Sequence, residues 1–454
     1  MRGDSKSKKI MAIVAVSLLI TLSFLAGYSV SSNGNKVTTI SSGIYPNGVS
    51  YTIYKEGSTY YAKDAYGAID FSGTDASTVI QSAVNTLVNG GKIFIKAANY
   101  PISNTISIPF GGIVIEGEGW STILEAVNNF NKNIIEITGD YCEVKDLRIN
   151  GNKANQASGK GIYVYNAYRV KIERVFLWQI KGCSIELAGN ASKYCIETVI
   201  NKVYIEDGDG AGIRIGDYAT DTRVSGNNIQ VDADNGIIVV TGSNLIIDNT
   251  VWGNINGLLL YGSSAVGNLV IGNRFDYNWY YGIYIDAGAT GNLITGNNIF
   301  FNSQASSNTY SGIIINDSFK NNIFNNRIGS SYTGGGGEKQ KYGVKETGTS
   351  DYNEICFNII ESYLTNGIVK VGANTVVKQN VGYVTENSGT ATISSGTSVV
   401  VTHGLAGTPT VVIVTPRSTG YGSFAVTART STTFTITVTI SGTYTFDWYA
   451  EYKP

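Results

Sequence analysis

Carboxylates gather in one stretch of the chain. Glu206, Asp207, Asp209, Asp232 and Asp234 lie close together in sequence, with Arg214 among them and Glu186 just upstream. Trp178 and Lys181 precede this stretch, and Asp276, Tyr277, Trp279, Tyr280 and Tyr281 follow it in one short turn. Paired carboxylates move protons to and from a reacting oxygen. Two of them about 5–9.5 Å apart are the apparatus of glycoside hydrolysis. Crowded carboxylates also hold Ca²⁺, which would bridge an acidic sugar. Aromatic faces stack on sugar rings. The expected assignment gives chemistry to Asp209, Asp232, Asp234 and Arg214, and Ca²⁺ to Asp207, Asp209 and Asp232. Trp178, Lys181, Glu206, Asp276, Tyr277, Trp279, Tyr280 and Tyr281 would hold substrate. Plainer readings stand beside this. Asp is ordinary in polar turns, and Arg214 is expected to pair with Glu186 across coils.

Composition narrows the field. The 33 Lys and Arg balance 34 Asp and Glu for a net charge of −1. With no clustered basic face, nucleic-acid binding by bulk electrostatics is excluded. The lone histidine, His403, excludes a His-rich zinc site and is expected to make a structural hydrogen bond. Cys142, Cys183, Cys195 and Cys356 form no CxxC. Cys183 and Cys195 are close enough to bridge around a loop, the alternative being buried free thiols. Asn190 and Asn316 begin N-x-S sequons that would carry glycan in an exported chain.

For the carboxylates and rings to meet, the chain must stack. A phrase of Gly, short apolar strand, polar turn and Asn-flanked strand recurs from about 213 to 389. The strands open at Gly212, Gly236, Gly257, Gly282, Gly312, Gly343 and Gly367. An Asn recurs at 227, 249, 273, 297, 326, 358 and 380, with gaps of 22, 24, 24, 29, 32 and 22. Each unit holds strands too short to bury a face alone and has no room for a helix, so units must pile on their copies. Like residues then lie about 4.8 Å apart. The Asn amides are expected to bond one another and to occupy αL turns, with Gly supplying positive φ. The longer gaps, at 302–311 and Gly334–Gly337, are turn insertions. The pattern continues less regularly upstream, giving about eleven coils from Gly112 to Gly389.

Residues 64–124 carry Tyr66-Gly67-Ala68, Gly73-Thr74-Asp75, Gln81-Ser82-Ala83, Gly90-Gly91, Tyr100 and Gly117-Glu118-Gly119. They resemble the N-terminal segment of pectate-lyase-like right-handed parallel β-helix proteins, a likeness that extends over about 64–389. It implies an all-β, right-handed parallel β-helix (solenoid). The family includes polysaccharide lyases, polygalacturonases, epimerases and viral tail spikes, so it implies a polysaccharide or surface glycan as partner without choosing an activity. The polygalacturonase Gly-His-Gly and the epimerase Asp-Pro-His-Glu are absent. Independently of the resemblance, Asp75 reads as an N-cap, and Val79, Ile80, Ala83 and Leu87 have helical spacing over 76–88, a helix that would cap the N-terminal end.

The termini complete the plan. Arg2, Lys6, Lys8 and Lys9 precede uncharged Ile10–Val30, an export signal or retained anchor. The anchor is favoured, because Phe24 and Tyr28 occupy positions where cleavage wants small residues. It would tie the chain to the outer face of the membrane. Past Gly389, alternating strands at 396–416, 422–439 and 442–453, with turns such as Ser441–Gly442, read as a small antiparallel β-sandwich. Val401-Thr-His403-Gly404-Leu405 and Tyr444-Thr-Phe446-Asp-Trp448 resemble C-terminal modules of phage tail fibres, which implies binding or homo-oligomerisation. The expected domains are a signal at 1–30, a linker at 31–50, the β-helix at 51–389 and the sandwich at 390–454. The expected function is polysaccharide engagement outside the cell, by a lyase or hydrolase or by a non-enzymatic adhesin or tail-spike-like protein.

Overall fold

The computed structural model describes residues 48–231, 233–329, 337 and 339–454. The signal, most of the linker, Asp232 and Gly334–Gly336 lie outside the described residues. Three long sheets run the length of the stack. Each coil gives one strand to each sheet in turn, for example Leu269–Ile271, Arg274–Asp276 and Ile283–Asp286. Each strand pairs in parallel with its counterpart one coil on. Among the described residues the second and third sheets hold 11 strands each, so the chain winds about eleven times. Winding begins at Gly91–Ile95, earlier than Gly112. Within each short strand the middle or flanking apolar side chains turn inward, which makes one continuous core of Ile, Val and Leu.

The corner between the first and second sheets is a two-residue turn, and here the sequence reading needs correction. Positive φ falls on the first residue, Lys202, Gly226, Asp248, Gly272, Gly296, Asn325, Phe357 and Gln379 at 51–68°. The recurring Asn is the second residue and points inward. Its amide donates to the Asn one coil on at 2.9–3.0 Å, from Asn227 through Asn249, Asn273, Asn297, Asn326 and Asn358 to Asn380. A parallel ladder joins Asn244, Asn268, Asn292, Asn321 and Asn353. It ends on Glu346, a fully buried carboxylate. A third ladder, Asn254, Asn278, Asn302 and Gln340, runs at the next corner.

The strand-opening glycines also differ from expectation. They do not supply positive φ. A Cβ on Gly212, Gly236, Gly257, Gly282, Gly312 or Gly343 would sit 2.6–3.0 Å from the carbonyl oxygen of the next glycine in the column. Close approach of successive rungs is what excludes a side chain.

Both ends of the stack are covered. Asp75 accepts from Thr78 N at 2.8 Å and caps the helix Ala76–Thr86, which buries Val79, Ile80, Ala83 and Val84. Gln81 extends this cover by bonding both backbone groups of Ser107 on the first coil. At the far end Tyr383 is buried against the last coil, and Tyr452 touches both the solenoid core and the C-terminal core. The C-terminal sandwich is one four-stranded antiparallel sheet that folds over its own core. Ser441–Gly442 is not a turn. Thr433–Glu451 is a single strand paired along Glu386–Thr402, and its register shifts where Gly396 meets Gly442. Two facing glycines let both strands bend there. His403 is fully buried, accepting from Leu405 N at Nδ1 (3.0 Å) and bonding Thr430 O through Nε2 (3.2 Å).

The proposed Cys183–Cys195 bridge is absent, since all four cysteines are free. Cys183 precedes the strand Ile185–Ala188, and Cys195 lies beyond it, buried on Cys195–Ile196 with its thiol toward Thr198. Burial and the neighbouring Glu186 push the Cys183 thiol up to about 12. Both sequon amides are used internally, Asn190 with Tyr165 and Asn316 with Asp286.

Candidate functional site

The carboxylates of 206–234 meet lysines more than one another. Lys153 bonds Asp207 at 2.6 Å and Asp209 at 3.1 Å, and Lys181 bonds Asp209 at 2.7 Å. Burial pushes the Asp207 carboxyl up, but Lys153 and Gln179 together hold it below its ordinary value. Asp209 is held low by Lys181 first and Lys153 as well, against burial. Both are therefore anions at neutral pH, suited to ion pairing and poorly suited to donating a proton. Asp234 turns onto its neighbour Asn235. Glu206 stands exposed on the second sheet, one rung from Trp178. Among the described residues no group of three Asp, Glu, His or Cys is placed to hold a metal ion.

The aromatic turn divides between two faces. Tyr281 packs on Tyr284 (5.2 Å between centroids), an outward residue of the third sheet. The insertion 302–311 delivers Tyr310, which stacks on Tyr280 at 4.5 Å and meets Tyr281 edge-on at 5.2 Å. Trp279 and Asp276 instead face the second sheet. Asp276 is 1% exposed, bonded to Arg274 at 2.5 Å.

Outward residues of the third sheet form one row of Glu186, Arg214, Ile238, Leu259 and Tyr284. A groove of about 980 Å³ lies over Arg214, Ile238 and Leu259. Its walls are Tyr194, Tyr218 and Tyr261, all at least 41% exposed, with Asp217, Thr220, Thr241, Ser263 and Ser264 from the turns leading back to the first sheet. Tyr194 and Tyr218 meet edge-on at 5.3 Å. Glu186 lies 4.0 Å from Arg214 Nε and 3.1 Å from Lys160, so the expected cross-coil pair forms but leaves the guanidinium partly exposed in the groove. Of the sequence-nominated residues that are described, this groove holds only Arg214. Tyr194 and Tyr218 lie in turns of unequal length, where coil alignment gives no reliable column, and Tyr261 ends the strand Leu258–Tyr261.

A family described as a right handed beta helix region matches residues 93–254. The chain is a right-handed parallel β-helix protein. A second family, described as periplasmic copper-binding protein (NosD), matches residues 197–397. Among solved structures, the A-module of an Azotobacter vinelandii mannuronan C-5 epimerase is similar with a TM-score of 0.56 at 18% identity, over 68% of this chain and 95% of that one. The enzymatically active domain of bacteriophage CBA120 tailspike protein 2 gives 0.53 at 14%, over 80% and 63%. A tailspike protein of E. coli bacteriophage HK620 in complex with pentasaccharide gives 0.52 at 9%, over 84% and 90%. At these identities the likeness is one of fold. No curated protein sequence matches the chain. The donor set of this β-helix does not suit copper. The chain's one histidine, His403, lies in the C-terminal module with both ring nitrogens engaged, and its cysteines are single and mostly buried.

Proposed function

We propose that the protein binds an acidic polysaccharide outside the cell, on the third-sheet face, and does not cleave it. The supporting observation is the convergence of Arg214 with Tyr194, Tyr218 and Tyr261 in one groove. Ring faces suit the C–H faces of pyranoses, a guanidinium suits a sugar carboxylate, and the Thr and Ser hydroxyls suit sugar hydroxyls. Binding is favoured over hydrolysis because Asp217 is the one carboxylate among the described residues lining the groove, whereas hydrolysis takes two. The same fold serves a mannuronan epimerase and a tailspike solved with a pentasaccharide, which makes glycans the ligand class to test first. The basic, then apolar, N-terminus supports export. The C-terminal module would join copies or extend the binding surface.

The test is retention of the full chain on immobilised alginate, polygalacturonate and neutral glucans, with parallel assays for reducing ends and unsaturated products. Retention on an acidic polymer, weakened in Arg214→Ala, is expected. Product release, or equal retention on neutral polymers, would overturn the reading.

A further inference from the structure

A second groove opens on a different face, that of the second sheet. Outward residues there run in two columns. One contains Tyr204, Asn228, Thr250 and Arg274, the other Glu206, Gln230, Trp252 and Asp276. Glu206 and Asp276 are three rungs apart, about 14 Å along the stack, too far for a hydrolytic pair. Between them lies a groove of about 790 Å³ lined by Asn228, Gln230, Trp252, Arg274, Trp279 and Gln304, among others.

The groove is built rather than incidental. Trp252 Nε1 donates to Asn228 Oδ1 at 2.9 Å, which fixes the indole plane across neighbouring rungs. Trp252 and Trp279 are nonetheless 39% and 47% exposed. Arg274 is gripped by Asp276 at 2.5 Å and lies over the Phe300 ring at 5.3 Å, yet its side chain remains 52% exposed. Asp276 is almost wholly buried, and its Oδ1 has no hydrogen-bond partner among the described residues. A carboxylate is buried here to orient a guanidinium whose outer edge stays free. Two planar apolar rings, one aimed cation and several side-chain amides match a ring that has an apolar C–H face, hydroxyls and an acid group.

We infer that this groove is a second carbohydrate site, taking a carboxylate-bearing pyranose unit with its ring face on Trp252 and Trp279 and its acid on Arg274. It shares the ligand class proposed for the third sheet but rests on different residues. Asp276 acts as a positioning residue, holding Arg274 without touching the sugar. Two such sites on adjacent faces let one molecule grip two strands of polymer, so that weak single contacts add through avidity.

The experiment is calorimetric titration of the full chain with tetragalacturonate and tetramannuronate, and with their carboxyl-reduced forms, while tryptophan fluorescence is followed. Wild type is expected to bind two equivalents of an acidic tetramer with quenching. Arg214→Ala should keep one equivalent and the quench. The double variant Trp252→Ala, Trp279→Ala should keep one equivalent without the quench, with unchanged melting. Asp276→Asn should weaken the quenching site roughly tenfold, about 1.4 kcal/mol, and reduced tetramers should bind neither site. If the tryptophan variant keeps full stoichiometry, the second site is wrong while the third-sheet reading stands. If Arg214→Ala keeps both equivalents, the third-sheet reading fails and this one stands only if the quench persists. Absence of all binding overturns both.

Discussion

The upstream and downstream halves of the solenoid hold their rungs together by different means. At the corner between the first and second sheets the upstream coils place Leu147, Val175 and Val203, all fully buried. From 227 onward the same corner is Asn, and each amide side chain accepts from the preceding Asn backbone N–H as well as from its amide. At the outer turn between the second and third sheets, upstream coils carry the Lys153, Lys181, Asp207 and Asp209 ion pairs. Downstream coils carry Tyr277–Tyr281 there. The amide ladders set register from inside without charge, where the upstream coils rely on apolar packing at the corner and ion pairs at the outer turn. Both proposed grooves lie on or beside laddered rungs.

Breaking a ladder should have the largest effect. Asn273→Leu removes the acceptor used by Asn249 N and Nδ2 and the donor to Ile246 O and Asn297. Buried orphaned groups cost about 1–3 kcal/mol each, so a loss of roughly 3–5 kcal/mol is expected in urea unfolding. A volume-conserving change such as Leu147→Met at the equivalent upstream corner should cost under about 1.5 kcal/mol. If the two variants cost the same, the distinction between the halves collapses.

Glu346→Leu comes next. Glu346 accepts from Asn353, Thr375 and the backbone of Val371 and Gly372. Losing this terminus should cost roughly 2–4 kcal/mol, and hydrogen exchange should show the loss concentrated in the last coils.

Tyr261→Ala should leave stability within about 0.5 kcal/mol and weaken acidic-glycan binding roughly tenfold, read by retention. That combination separates a recognition surface from a structural one.

The smallest effect belongs to the upstream ion pairs. Asp209→Asn should cost under about 1 kcal/mol at neutral pH, because the pairs are partly exposed and screened. Asp207 and Asp209 have depressed folded-state values. Their contribution is therefore present above the unfolded carboxyl value near 3.9 and lost as pH falls through the folded values below it. Variant and parent should converge in stability under acid, and a gap that widens there would contradict the assignment.

Much of the fold was legible because stacking repeats the same requirement on every rung. The Asn column at 227–380 and the Gly column at 212–367 stand out for that reason. The physical role of each was harder to read. Positive φ and close approach both select glycine, and only the backbone tells them apart. The third ladder was hidden because its last member, Gln340, follows an insertion and changes residue type. The candidate site was less legible still. Lys153 lies 54 positions before Asp207, a two-coil step across turns of unequal length, so a cluster that reads as acidic is neutralised in space. Asp276 was nominated as a ligand contact, whereas the structure buries it beneath Arg274.

The most direct test is retention of the full chain and of Arg214→Ala on immobilised acidic polysaccharide, with the wash assayed for cleavage products. Strong retention of the parent, weaker retention of the variant and no product are predicted. Cleavage products, or retention indifferent to Arg214, would contradict the account.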